Sequence, residues 1–167
     1  MDDRLAAIFS RRSIRRYTDE PVSEAELQSL LEAGMAAPSA SNRKPWHFVT
    51  VTDRETLCAL AEAHPYGKML AKAGAAIAVC GDPKVSDWWV QDCSAATENI
   101  LIASAALGLG AVWLGSHGIP VRERAIRGIL GIPGSIGVLS LLSIGHPAEV
   151  KDARTQYDSR RVRRYQW

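Results

Sequence analysis

Asp92-Cys93-Ser94-Ala95-Ala96-Thr97-Glu98-Asn99-Ile100-Leu101, continued to Leu107 and closed by Gly108-Leu109-Gly110, is the stretch on which the reading of this chain turns. From about Val90 to Leu107 the apolar positions Cys93, Ala95, Ala96, Ile100, Leu101, Ala103, Ala105, Ala106 and Leu107 fall on nearly every side of a helix. Such a helix is buried on most sides, in a core or in a subunit interface. Gly108 reads as its C-cap. Ala111-Val112-Trp113-Leu114 then reads as a strand running into Gly115-Ser116. A dinucleotide-binding glycine loop needs the reverse order, strand before helix, and a third glycine at the right spacing, so Gly108-x-Gly110 is not that motif.

Outward from this helix the chain alternates. Ala75 to Cys80 is a short apolar run between Gly74 and Gly81, the pattern of a central strand. His47-Phe48-Val49-Thr50-Val51-Thr52 alternates like a strand, and Leu57, Leu60 and Ala61 predict a helix ending near His64-Pro65. Pro120 to Leu130 is a helix with proline in its first turn, stopped by Gly131-Ile132-Pro133-Gly134, and Val138 to Ile144 is the last strand. Upstream, Ser23 with Glu26 three residues later forms a capping box ahead of Leu27, Leu30, Leu31 and Met35. Leu5, Ile8 and Phe9 predict a short first helix. The order αα-β-α-β-α-β-α-β specifies an α+β or α/β sandwich, with a polar extension from Lys151 to Trp167 that carries too little apolar periodicity to pack alone.

The 167 residues, 47% hydrophobic, suit one globular domain, residues 1–167, with a real core. Net charge is only +2, yet ten of the fifteen arginines crowd the two ends: Arg4, Arg11, Arg12, Arg15 and Arg16, then Arg154, Arg160, Arg161, Arg163 and Arg164. Four guanidiniums between Arg11 and Arg16 repel one another, and arginine forks suit phosphate. The clusters read as a solvated basic face, as two nucleic-acid arms, or as two ends converging on one anionic ligand. Cys58, Cys80 and Cys93 have neither disulfide-framework nor zinc spacing, which fits a reducing cytoplasm. No signal peptide is expected at Met1-Asp2-Asp3-Arg4, and the apolar runs are too short to cross a bilayer.

His47, His64, His117 and His146 are scattered and read as structural groups. No nucleophile, acid-base pair or metal-ligand cluster is visible, so no catalytic side chain and no metal are expected, and an enzyme built this way needs a cofactor to carry the reaction.

Four motifs then carry a resemblance. Arg11-Arg12-Ser13-Ile14-Arg15-Arg16-Tyr17, Pro38-Ser39-Ala40-Ser41-Asn42-Arg43-Lys44-Pro45-Trp46-His47-Phe48, the central helix through Gly110 with Trp113-Leu114-Gly115, and Tyr157-Asp158-Ser159-Arg160-Arg161-Val162 resemble, in order and over essentially the whole chain, those of the FMN-dependent nitroreductase family. The resemblance implies a mostly antiparallel sheet flanked by helices, and FMN held at a homodimer interface. It implies that Arg11, Arg12, Ser13 and Arg15 bind the FMN phosphate, ribityl chain and ring edge, joined from the tail by Arg161 and Arg163. Pro38, Ser39, Ala40 and Asn42 would reach the flavin of the other subunit, and the backbone of Trp113, Leu114 and Gly115 would lie beside the ring. NADH or NADPH would reduce the flavin transiently, and a nitroaromatic or quinone would take the electrons in a ping-pong scheme, with no nucleic acid or membrane involved.

Lys44 stands where many members have glutamine and Arg163 where histidine is common. The chain resembles a compact member with an open, permissive pocket. Tyr66, Trp88 and Trp89 are candidates for an aromatic wall, with ordinary packing the favoured reading. Another reaction on the same scaffold, such as reductive dehalogenation, reduction of an enal or aldehyde, or a biosynthetic oxidation, stays open. The remote alternative is a basic nucleic-acid-binding module, disfavoured by the small net charge.

Overall fold

The structure, a computed structural model, describes residues 2–167. Strands β1 (Trp46–Val51), β2 (Ala75–Gly81), β3 (Gly110–Gly115) and β4 (Gly137–Gly145) form one sheet in the order β1-β2-β4-β3. Every neighbouring pair is antiparallel, with Ile77 opposite Thr50 and Leu142, and Leu142 opposite Trp113. The fold is α+β, as the element order predicts. Boundaries differ by a residue or two, as at β1, which starts on Trp46 and ends on Val51.

Alternation explains the layers. Along β2, Ala75, Ile77 and Val79 face one apolar cluster, and Ala76, Ala78 and Cys80 face another. A central strand with both faces covered needs small or apolar residues throughout. On the first face α2 (Glu24–Met35) and α4 (Trp89–Ala106) contribute Leu27, Leu30, Ala96 and Ile100. On the second, α3 (Arg54–Ala63) and α5 (Pro120–Leu130) contribute Leu57, Leu60 and Ile126. Full burial of each leucine or isoleucine among them stabilises by about 1.5–3 kcal/mol.

The capping box of α2 forms as its sequence predicts: the Glu26 N–H donates to Ser23 Oγ at 3.3 Å, and the Ser23 N–H to Glu26 Oε2 at 2.8 Å. Helix α4 stops where Gly108 takes φ +76°, a conformation a Cβ would strain. There the Leu109 N–H reaches the Ser104 carbonyl at 2.8 Å and the Gly108 N–H reaches Ala105 at 3.2 Å, the paired bonds of a Schellman stop. The segment Lys68–Lys72, which carries no clear pattern in the sequence, forms a 3-10 turn that buries Leu70.

Two features place the arginine run. A 3-10 turn (Asp3–Leu5) and α1 (Ala6–Ser10) lead into it, and it then joins the open edge of β3: Ser13 pairs parallel with Ala111, and the Ile14 N–H donates to the Ala111 carbonyl at 3.0 Å. The Ile14 side chain is buried against the bare face of Gly110, where any Cβ would collide with it. Past Pro147 the chain has little regular structure beyond a 3-10 turn at Ser159–Arg161, with the Arg154 N–H bonded to the Phe9 carbonyl at 3.1 Å, and ends with Tyr165 and Trp167 fully exposed. The absence of self-packing in this extension matches its sequence.

Candidate functional site

A cavity of about 500 Å³ opens beside β3, within the size range of small-molecule sites. Trp113, Leu114 and Gly115 form its strand side, with Pro65 and Met69 adding apolar surface, while Arg15, Lys68 and Arg122 bring three cations and no lining residue is acidic. Among the described residues the outer edge of β3 meets no further strand, and its backbone pairs with other backbone at Ala111, with Ser13 and Ile14. Backbone groups alternate in direction along a strand, so Trp113 and Gly115 turn their N–H and C=O groups to that same open edge. A Cβ at Gly115 would enter open space, which leaves this backbone accessible to a ligand. An apolar floor, a free strand edge and a cationic rim suit a flat heteroaromatic ring that carries negative charge.

One carbonyl at this edge is already engaged. Gly115 O lies 3.0 Å from His64 Nε2 and accepts from Arg122 Nη1 at 3.0 Å. The Tyr66 N–H donates to His64 Nδ1 at 3.2 Å, which leaves the ring proton on Nε2, aimed at Gly115. His64 is buried at the C-terminal end of α3. Arg122, in the first turn of α5, also lies over the Tyr66 ring, 5.4 Å from its centroid.

The arginine run is anchored residue by residue. Arg11 Nε lies 3.4 Å from Glu98 Oε1 of α4, Arg12 Nη1 donates to the Asp152 carbonyl, and Lys151 Nζ donates to the Ser13 carbonyl at 2.5 Å. The Arg15 N–H donates to Glu149 Oε1 at 2.6 Å, which holds that carboxyl below the usual range. Of Arg11, Arg12, Ser13 and Arg15, only Arg15 lines the cavity within this chain. Arg12 borders a second hollow of about 230 Å³ beneath Glu149 and Lys151. Tyr17 Oη lies 2.9 Å from the Ile14 carbonyl and 3.0 Å from the Ser143 carbonyl, which share its single proton, and burial pushes its pKa up to about 12, so it is a structural pin rather than an acid.

The Pro38-to-Asn42 loop is shaped by positive φ at Ser41, Asn42 and Lys44, and it lies at the N-terminal end of α4 rather than in the cavity. Its holder is Asp92, a buried carboxylate of α4 that accepts the Ala40 N–H at 2.8 Å and the Ser86 hydroxyl at 2.9 Å. The Ser39 hydroxyl in turn accepts the Lys44 N–H at 2.9 Å. In the tail, Arg161 pairs with Asp158 at 3.6 Å and Arg163 lies 5.4 Å from the Trp167 ring centroid. Neither of these arginines lines the cavity.

Of the three aromatic candidates, Tyr66 is at the cavity and Trp88 is exposed away from it. Trp89 is core, seated on the bare backbones of Gly81 and Gly137 and edge-on to His117 at 4.8 Å. Sequence reasoning did not single out His64, Lys68, Arg122 or Asp92 as site residues. The signal for Arg122 was its place in the first turn of a helix that directly follows β3; a histidine before proline gave none. Cys58, Cys80 and Cys93 are free thiols, and burial pushes Cys80 up to about 11 and Cys93 up to about 12, which makes both poor nucleophiles. Among the described residues no His, Cys, Asp and Glu group could hold a metal, and no helix is long and apolar enough to cross a membrane.

Comparison with known proteins agrees along the chain. The model of the nitroreductase family matches residues 8–76 and 61–146. A provisionally named NADH dehydrogenase/NAD(P)H nitroreductase of Archaeoglobus fulgidus is 48% identical over 174 residues, covering 100% of both chains. The crystal structure of a protein of the same provisional name from Parabacteroides distasonis superposes with a TM-score of 0.96 at 38% identity, over 100% of each chain. A provisionally named nitroreductase from Desulfovibrio desulfuricans, solved in complex with FMN, superposes at 0.84 with 31% identity, over 100% of this chain and 99% of that one.

Proposed function

We propose that this chain, which belongs to the nitroreductase family, passes electrons from a nicotinamide nucleotide through FMN to nitroaromatics, quinones or similar acceptors. It is an NAD(P)H-dependent oxidoreductase with FMN as its cofactor. The observation that carries the reading is the open outer edge of β3 facing a cavity of about 500 Å³ with three cations and no carboxylate.

When bound, FMN supplies the redox-active ring that takes a hydride at N5 and hands electrons on. The chain's own residues bind, orient and stabilise. Arg11, Arg12, Ser13 and Arg15 would hold the phosphate, the ribityl chain and the ring edge, with Arg161 and Arg163 closing from the tail by charge-assisted bonds. The edge of Trp113, Leu114 and Gly115 would meet the ring, and its fixed N–H donors and the neighbouring guanidiniums stabilise negative charge as it develops. Pro38, Ser39, Ala40 and Asn42, on a loop outside this chain's cavity, would reach the flavin of a second subunit. Nicotinamide and acceptor would occupy one exposed face in turn, a ping-pong order in which the pocket contributes positioning.

Residues 1–167 act in this reading as one FMN-binding domain of a cytoplasmic homodimer, with no nucleic acid or membrane partner. The unpaired thiols and the unpacked tail support it. An obligate interface of this kind buries roughly 2,000–5,000 Å² in total.

The test is a visible spectrum of the purified protein, followed by anaerobic titration with NADH and with NADPH and then a panel of acceptors. A yellow protein that bleaches with a nicotinamide and recovers its colour with nitroaromatic or quinone is expected. A colourless protein that takes up no added FMN overturns the reading.

A further inference from the structure

The Gly115 carbonyl is held by two donors from different elements, neither of them on its own strand. We propose that His64 and Arg122 are positioning residues: from α3 and α5 they jointly hold the Gly115 carbonyl, so that the Gly115 end of the β3 edge meets the flavin with that carbonyl already engaged. This rests on the reading under Proposed function and assigns work within that site.

Three observations argue for it. A peptide carbonyl has two lone pairs, and here both are taken, each at 3.0 Å. The residue is a glycine at the end of an edge strand, with nothing near its Cβ position; β4 lies along its inner side, opposite Ser140, and side-chain packing of its own does nothing to hold the outward carbonyl. The donors are themselves held: His64 is buried with its Nδ1 tied to the Tyr66 N–H, and Arg122 is flanked by the Tyr66 ring.

The consequence is electrostatic. A free carbonyl turned to the ring would repel the negative charge that accumulates on reduction, whereas a neutralised one does not, and the Arg122 cation adds attraction. Fixing the carbonyl also fixes the Gly115–Ser116 peptide plane, whose N–H donates to the Leu139 carbonyl of β4 at 3.1 Å. A purely structural role, tying α3 and α5 to β3, would alter stability and leave the flavin's potential where it is.

The experiment measures, on holoenzyme variants, the FMN dissociation constant after cofactor removal and the midpoint potential against a reference dye. Arg122→Met is expected to bind FMN about tenfold more weakly, the scale of one lost hydrogen bond. It should also shift the reduced-to-oxidised equilibrium about tenfold towards oxidised flavin, about 30 mV lower for a two-electron couple. His64→Leu is expected to move both in the same direction. His64→Gln, which keeps an N–H donor, restores most of the effect. If His64→Leu does not fold, Arg122→Met decides. Variants that melt earlier but keep wild-type affinity and potential overturn the proposal and leave the FMN reading intact. A wild-type protein that binds no FMN removes both.

Discussion

The two arginine-rich ends of this chain share a composition and little else. Between Arg11 and Tyr17 the backbone is sewn to β3 at Ala111, Ile14 is buried, and Arg11, Arg12 and Arg15 each have a partner on another element. Between Tyr157 and Trp167 the arginines pair only with near neighbours, and Tyr165 and Trp167 face solvent. The difference lies in what the flanking residues can bury. The first run carries an isoleucine that fits over Gly110, while the second has nothing in this chain to pack on. A basic cluster is therefore organised by its apolar neighbours, not by its charge.

Deleting residues 155–167 is the strongest way to break this contrast. FMN affinity should fall by about a hundredfold, the worth of two charge-assisted bonds, while urea unfolding of the remainder keeps its midpoint. A markedly earlier midpoint would mean the tail is part of the fold. Next comes Gly110→Ala, whose Cβ would meet Ile14 Cγ2 at 2.5 Å. It should lose about 1–3 kcal/mol by overpacking, against less than about 0.5 kcal/mol for Val162→Ala in the tail, both read by denaturant titration. Equal losses would erase the distinction.

Arg11→Ala combined with Arg15→Ala should weaken FMN retention by about tenfold or more while costing under about 1 kcal/mol of stability, since the Arg11–Glu98 pair is half exposed. Unchanged flavin content would place the phosphate elsewhere.

The smallest effect is on acid stability. Glu149 titrates below its ordinary value because it accepts the Arg15 N–H. Its contribution is thus present above the unfolded-state value near about 4.3 and is lost as pH falls through the lower folded value. Glu149→Gln should flatten the stability loss below about pH 5 by under about 1 kcal/mol. Asp158, lowered by its bonds to Arg160 two residues on, sits in a tail that does not pack on the fold and should show no such effect as Asp158→Asn. Matching pH profiles for the two would contradict the difference between the ends.

Much of the fold was legible. The capping box at Ser23 and Glu26, the glycine stop at Gly108 and the strands at Ala75 and Val138 all form, because caps and alternation act over a few residues. The 3-10 turn at Lys68–Lys72 was not legible, since a single buried Leu70 leaves no period to read. Among site residues, the four family motifs pointed to Arg15 and to Trp113 through Gly115, which do share a cavity. They gave no sign of His64 or Arg122, whose roles arise only when α3 and α5 both end against β3. Asp92 was visible as a polar position in a buried helix, but its partners Ala40 and Ser86 sit on separate loops.

By itself the sequence determined the element order and the doubly buried central strand, because periodicity and capping are local properties. Tertiary structure alone decided which edge of the sheet stays open, which cations rim it and which donors occupy the Gly115 carbonyl. Those depend on contacts between residues dozens of positions apart, and only the packing of two helix layers on one antiparallel sheet brings them together.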